Sequence, residues 1–150
     1  MRRMWAAGVA TMMCIALASS SVLAQGDHVT GTANTTTDPI SFDLSDPRVS
    51  GQGSGNWIAD LGSIFWGEWT INGPEGDWVG PWIGQWNEGL GKYLLVFSLE
   101  GTDTYEGWAF VGTYLDAGGD PQASVEGRVY LGDAPRMEWA ATEPDGSPAE

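Results

Sequence analysis

Glu68 is the carboxylate in this chain whose surroundings could give it chemistry. It stands between Trp66 and Thr70 on one face of a candidate strand. A glutamate desolvated beside an indole holds its proton more tightly, as a general acid or base near neutral pH requires. Glu106, next to Tyr105 at the start of another strand, is a second candidate of the same kind. Plainer readings stand beside these: a rim carboxylate for Glu68, a turn acceptor for Glu106.

The rest of the catalytic repertoire is thin. His28 is the only histidine and Cys14 the only cysteine, so no nitrogen–sulfur ligand set for zinc or copper can be assembled. A Ser-His-Asp triad would have to use His28, which reads as a surface residue. No dinucleotide-binding, phosphate-loop or calcium-loop spacing is present. Asp116 and Asp120 share a Gly-rich turn that could hold calcium loosely or simply be solvated. The expectation is no cofactor and no metal.

Aromatic residues offer more. From Asp77 to Trp86 the even positions are Trp78, Gly80, Trp82, Gly84 and Trp86. Side chains two apart in a strand share a face, so three indoles line one side. They can fill a core, wall a ligand cavity, or form an exposed sugar-stacking platform. The candidate lining residues are Trp66, Trp78, Trp82, Trp86, Trp108 and Tyr114, with Glu68 as the polar member. Gly-x-Trp recurs five times between Gly55 and Trp86, and the glycine is read as leaving space for the indole beside it.

Strands must position these residues. Apolar alternation marks segments Ser63–Ile71, Asp77–Trp86, Lys92–Glu100, Gly107–Leu115 and Gln122–Leu131. Weaker strands are His28–Thr35 and Arg48–Trp57, with short pieces at Ile40–Leu44 and Arg136–Ala140. Turn chemistry separates them, at Asn72–Gly76 for example. Pro81 cannot donate to a ladder and points to an edge, a bulge or a bend. Lys92–Glu100 is apolar on both faces and reads as a well-covered strand. The pattern predicts an all-β fold, a small antiparallel barrel of about eight strands, with a β-sandwich as the alternative.

The 150 residues fit one domain. Arg2 and Arg3, the uncharged apolar run Met4–Ala18 and the small residues ending at Ala24 have the layout of a signal peptide. The division is 1–24 signal peptide, 25–141 barrel and 142–150 a disordered acidic tail, with cleavage near Ala24–Gln25. Such a chain is exported, to the periplasm or beyond. Removing the leader takes away Cys14, so no disulfide remains. Arg48, Lys92, Arg128 and Arg136 are then set against twenty acidic side chains, a net charge of −16. That charge opposes nucleic acid and anionic lipid as partners. No membrane association is expected after cleavage.

Ser45-Asp46-Pro47-Arg48-Val49-Ser50-Gly51, Trp66-Gly67-Glu68-Trp69 and Leu99-Glu100-Gly101-Thr102-Asp103-Thr104-Tyr105-Glu106-Gly107 resemble segments of a group of small bacterial secreted proteins. The Gly-Thr-x-x-Tyr-x-Gly turn is similar to that of barrels of the allene oxide cyclase and dirigent type. The resemblance spans Ser45 to Gly132 and implies an eight-stranded antiparallel barrel with an apolar central cavity. Asp103 stands where the group has glycine. No active-site residue of the cyclases maps onto this chain, so the resemblance carries no activity. The functional expectation is an exported barrel holding a small apolar or aromatic ligand. The alternatives are an isomerase or cyclase using the same cavity, and a carbohydrate-binding module with a tryptophan platform.

Overall fold

The computed structural model describes residues 26–60, 64–116 and 121–137. The leader, the cleavage point, the acidic tail and residues 138–140 of the last candidate strand lie outside them.

Eight strands form a closed barrel. They are β1 (Asp27–Asn34), β2 (Ile40–Leu44), β3 (Gly51–Asp60), β4 (Ile64–Asn72), β5 (Asp77–Asn87), β6 (Lys92–Gly101), β7 (Trp108–Asp116) and β8 (Gln122–Leu131). Each pairs antiparallel with the next, and β8 pairs back onto β1 from Asp27↔Val129 to Asn34↔Gln122. Closure removes the sheet edges that would template aggregation. β3 begins three residues later than its sequence pattern, because Pro47–Val49 forms a 3₁₀ turn instead. Arg136 and Met137 are not in a strand.

Pro81 needs no edge. The β5–β6 ladder skips Gly80 and Pro81 and resumes in the same register, from Val79↔Glu100 to Trp82↔Phe97. β6 is covered less completely than its sequence suggests. Leu95, Phe97 and Leu99 are buried inside, whereas Leu94 and Val96 on the outer face are half-buried. Nearer the strand's end, residues 133–135 fold back over the outside. The Ser98 hydroxyl donates to the Pro135 carbonyl at 2.7 Å, and the Tyr130 hydroxyl donates to that of Asp133 at 3.3 Å.

Glycine on the inner face makes room across the strand pair rather than along the strand. Gly55 is opposite Trp69 and Gly67 opposite Trp82. A Cβ on Gly55 would lie 2.6 Å from Trp69 Cδ1, and one on Gly67 2.8 Å from Trp82 Cζ2. Each indole lies over the bare backbone of its neighbour.

One end of the barrel is plugged. The 3₁₀ turns Pro47–Val49, between β2 and β3, and Asp103–Tyr105, between β6 and β7, sit at this end and bury Val49 and Tyr105. Trp78 stacks on Tyr105, with ring centroids 5.1 Å apart, and its indole N–H donates 2.7 Å to the Arg48 carbonyl. Asp103 adopts φ +53°, a left-handed conformation that aspartate tolerates better than most residues.

Arg48 ties the plug to the wall. Its Nε donates to both Asp46 oxygens at 3.0 and 3.1 Å, Nη2 reaches Asp27 at 2.6 Å, and the guanidinium lies 4.9 Å from the Trp108 ring. The hydrogen bond from Arg48 holds the Asp46 carboxyl below its usual range. A carboxyl lowered by folding adds stability that is present above its unfolded pKa and is lost as pH falls through the folded value. The urea midpoint should therefore drop as pH falls below about 4. Asp46→Asn should lower it at neutral pH and reduce the acid-side slope, and an unchanged slope would count against this role.

An aromatic cavity at the open end

Among the described residues the opposite end of the barrel is open and holds a cavity of about 430 Å³. Strand alternation selects its walls. Trp69 on β4, Trp82 on β5, Leu95 on β6 and Tyr114 on β7 point inward, and their burial makes them the floor. Phe65 and Ile40 form the sides. Trp57, Trp86, Tyr93 and Asp116 stand at the rim, where β3, β5, β6 and β7 end or begin.

The rings touch in a continuous series. Trp86 meets Tyr93 edge-on at 4.8 Å, Tyr93 meets Phe65 at 5.6 Å, and Phe65 stacks on Trp57 at 4.7 Å. Trp57 contacts Trp82 at 5.4 Å, Trp82 contacts Trp69 at 5.8 Å, and Trp69 contacts Tyr114 at 5.2 Å. Exposure rises steeply towards the rim: Trp82 is 2% exposed, Tyr93 39%, Trp86 43% and Trp57 63%.

Two polar groups belong to lining residues of this apolar site. The Trp82 indole N–H is buried and has no hydrogen-bond acceptor among the described residues. Buried donors are rarely left so. Burial, and secondarily the negative charge of Asp116, push the Tyr114 hydroxyl well above the usual phenol range. Tyr114 is therefore a neutral donor at any ordinary pH.

Of the residues singled out from sequence, Trp82, Trp86 and Tyr114 line the cavity. Trp78 shares their face but lies in the plugged half, and Trp108 sits at the plugged end under Arg48. Trp66 and Glu68 belong to the other side of the wall. The inward residues of β4 are Phe65, Gly67, Trp69 and Ile71, so Trp66, Glu68 and Thr70 face outward. Trp66 is 7% exposed there without joining the core, and Glu68 is exposed. Glu68 therefore has no access to the cavity, and Trp78, Trp82 and Trp86 form no common exposed platform.

Glu106 is exposed. His28 is on the outer face of β1, hydrogen-bonded to Glu126 at 3.0 Å. Asp120 lies outside the described residues, and among those no group of metal-ligating side chains converges.

Sequence reasoning passed over Phe65, Trp69, Tyr93 and Trp57. Phe65 and Trp69 were visible as the fully apolar face of β4, with Glu68 and Thr70 marking the other face as the wet one. Trp57 follows Gly51, Gly53 and Gly55 on one face of β3, a pattern that carries no hydrophobic signal until the register is known.

No protein-family model, curated protein or solved structure matches this chain.

Proposed function

We propose that this chain is an exported, non-catalytic barrel that binds a small apolar or aromatic ligand in its open end. The observation that carries the reading is the asymmetry of the barrel interior. The same inward-facing rows are packed solid around Trp78 and Phe110 but stop short of filling the space between Trp82 and Trp86. The cavity has the size of a small-molecule site, about 300–1,000 Å³, and its mix of apolar wall with a few polar groups is that of such sites. The leader-like N-terminus and the acidic, cysteine-free remainder support export.

The test is titration with the neutral fluorescent probe N-phenyl-1-naphthylamine. Saturable binding at one site is expected. Trp86→Ala should weaken it about 5- to 30-fold, since a large aromatic contact contributes on the order of 1–2 kcal/mol. The urea midpoint should move little, because Trp86 is largely outside the core. Absence of saturable binding, or binding indifferent to Trp86, would overturn the reading.

A further inference from the structure

Given the binding role proposed above, the chemistry of the lining narrows the ligand. Seven of the ten lining residues are aromatic, and the aliphatic ones are Ile40 and Leu95 alone. Apolarity by itself does not require this. The plugged half of the same inner face is filled with aliphatic side chains as well as rings, Val49, Ile71, Leu99 and Val129 among them. Rings take over where the interior stops being filled.

The planes of neighbouring rings turn steeply around this space. Trp86 and Tyr93 meet at 65°, Tyr93 and Phe65 at 74°, Trp57 and Trp82 at 84°, and Trp69 and Tyr114 at 67°. A flat guest laid parallel to one ring of such a pair therefore meets the other edge-to-face. An aromatic ring has a negative face and a positive edge, so offset stacking and edge-to-face contact are its two favoured arrangements, and each adds to what area burial contributes. A saturated ring carries C–H bonds on every side. It has no negative face to offer to a neighbour's edge.

The walls are also held in place. Phe65 is 7% exposed and is gripped by Trp57, Trp82 and Tyr93, with centroids 4.7, 5.8 and 5.6 Å away. Trp69 and Trp82 below it are buried against each other at 5.8 Å. Rings locked in this way do not re-shape themselves around a thick guest. The partly exposed rings of Tyr93 and Trp86 complete the space at the mouth.

We propose that the open end selects a flat aromatic ligand over a saturated one of the same skeleton, its ring held by Tyr93 and Trp86 above the floor formed by Trp69 and Trp82. The probes are 4-phenylbutan-1-ol and 4-cyclohexylbutan-1-ol, each competed against N-phenyl-1-naphthylamine on the protein. They share a chain and a hydroxyl, and the saturated ring has the larger apolar surface, so burial by itself favours the cyclohexyl compound. The phenyl compound should nevertheless bind about threefold or more tighter. Tyr93→Leu and Trp86→Leu, which exchange a ring for an aliphatic side chain at the rim, should each reduce that preference and together should abolish it. Equal affinities, or tighter binding of the cyclohexyl compound, overturn the aromatic selection and leave the apolar site standing. So does saturable binding of N-phenyl-1-naphthylamine that neither alcohol displaces. If N-phenyl-1-naphthylamine itself does not bind saturably, both readings fall. A phenyl preference that survives the double substitution overturns the assigned position.

Discussion

Trp78→Ala should be the most damaging single truncation in the barrel, costing about 3–5 kcal/mol out of a domain stability of about 5–15 kcal/mol. Trp78 is fully buried, at 0% exposure. It stacks on Tyr105 and meets Phe110 edge-on at 6.1 Å. Truncation empties the volume of an indole from the plug. It also strands the Arg48 carbonyl, whose partner is the Trp78 N–H at 2.7 Å; an orphaned buried acceptor adds about 1–3 kcal/mol. Urea unfolding measures the loss. Trp78→Phe separates the two effects, because it keeps most of the apolar volume and still strands the carbonyl. Trp86 lies on the same strand face, eight residues on, at the open rim. Trp86→Ala should move the urea midpoint far less and act on ligand affinity instead. Equal midpoint shifts for the two variants would show that the barrel is not divided into a packed half and an open half.

That division could not be read from β5 by itself. The alternation of Trp78, Trp82 and Trp86 with Val79, Ile83 and Gln85 fixes a common face, and the strand limits of β2, β5, β6 and β8 follow from turn residues to within a residue or so. Depth along the barrel is a different quantity. It depends on which end receives the turns Pro47–Val49 and Asp103–Tyr105, and that is settled by contacts between segments far apart in sequence, such as Trp78 with Arg48. β4 illustrates a second limit. Both of its faces carry a tryptophan, so the richest aromatic does not identify the inside. The polar Glu68 and Thr70 do, because a strand in a barrel wall buries the face that has no group left to solvate. Asp116 was legible as an acidic turn residue. Its position at the cavity rim follows only from the β6–β7 register, which sets it opposite Tyr93.

Register is also what gives the glycines their meaning, and Gly67→Ala tests it. A Cβ at this position would collide with the Asn56 carbonyl oxygen and lie 2.8 Å from Trp82 Cζ2. The first contact is with backbone on β3, which can move only with its strand. The second is with a ring held between Trp57, Phe65 and Trp69. Overpacking of this kind costs about 1–3 kcal/mol, so one added methyl should lower the urea midpoint by that equivalent. It should also displace Trp82 and weaken binding of N-phenyl-1-naphthylamine. Gly89→Ala is the control: it lies in the β5–β6 turn, and the closest atom to its Cβ is the Asn87 side-chain oxygen at 3.3 Å. Its effect should stay within about 0.5 kcal/mol. The pair Gly67 and Trp82 can be tested as a cycle. If the ring is what the methyl strikes, Trp82→Phe should absorb part of the clash, and the double variant should be more stable than the two single losses added together. Contacting residues couple by about 0.5–3 kcal/mol, whereas independent ones add within about 0.5 kcal/mol. Strict additivity would mean that the collision with Asn56 accounts for the whole cost, and that the bare backbone of Gly67 is not what lets the Trp82 indole lie across the barrel wall.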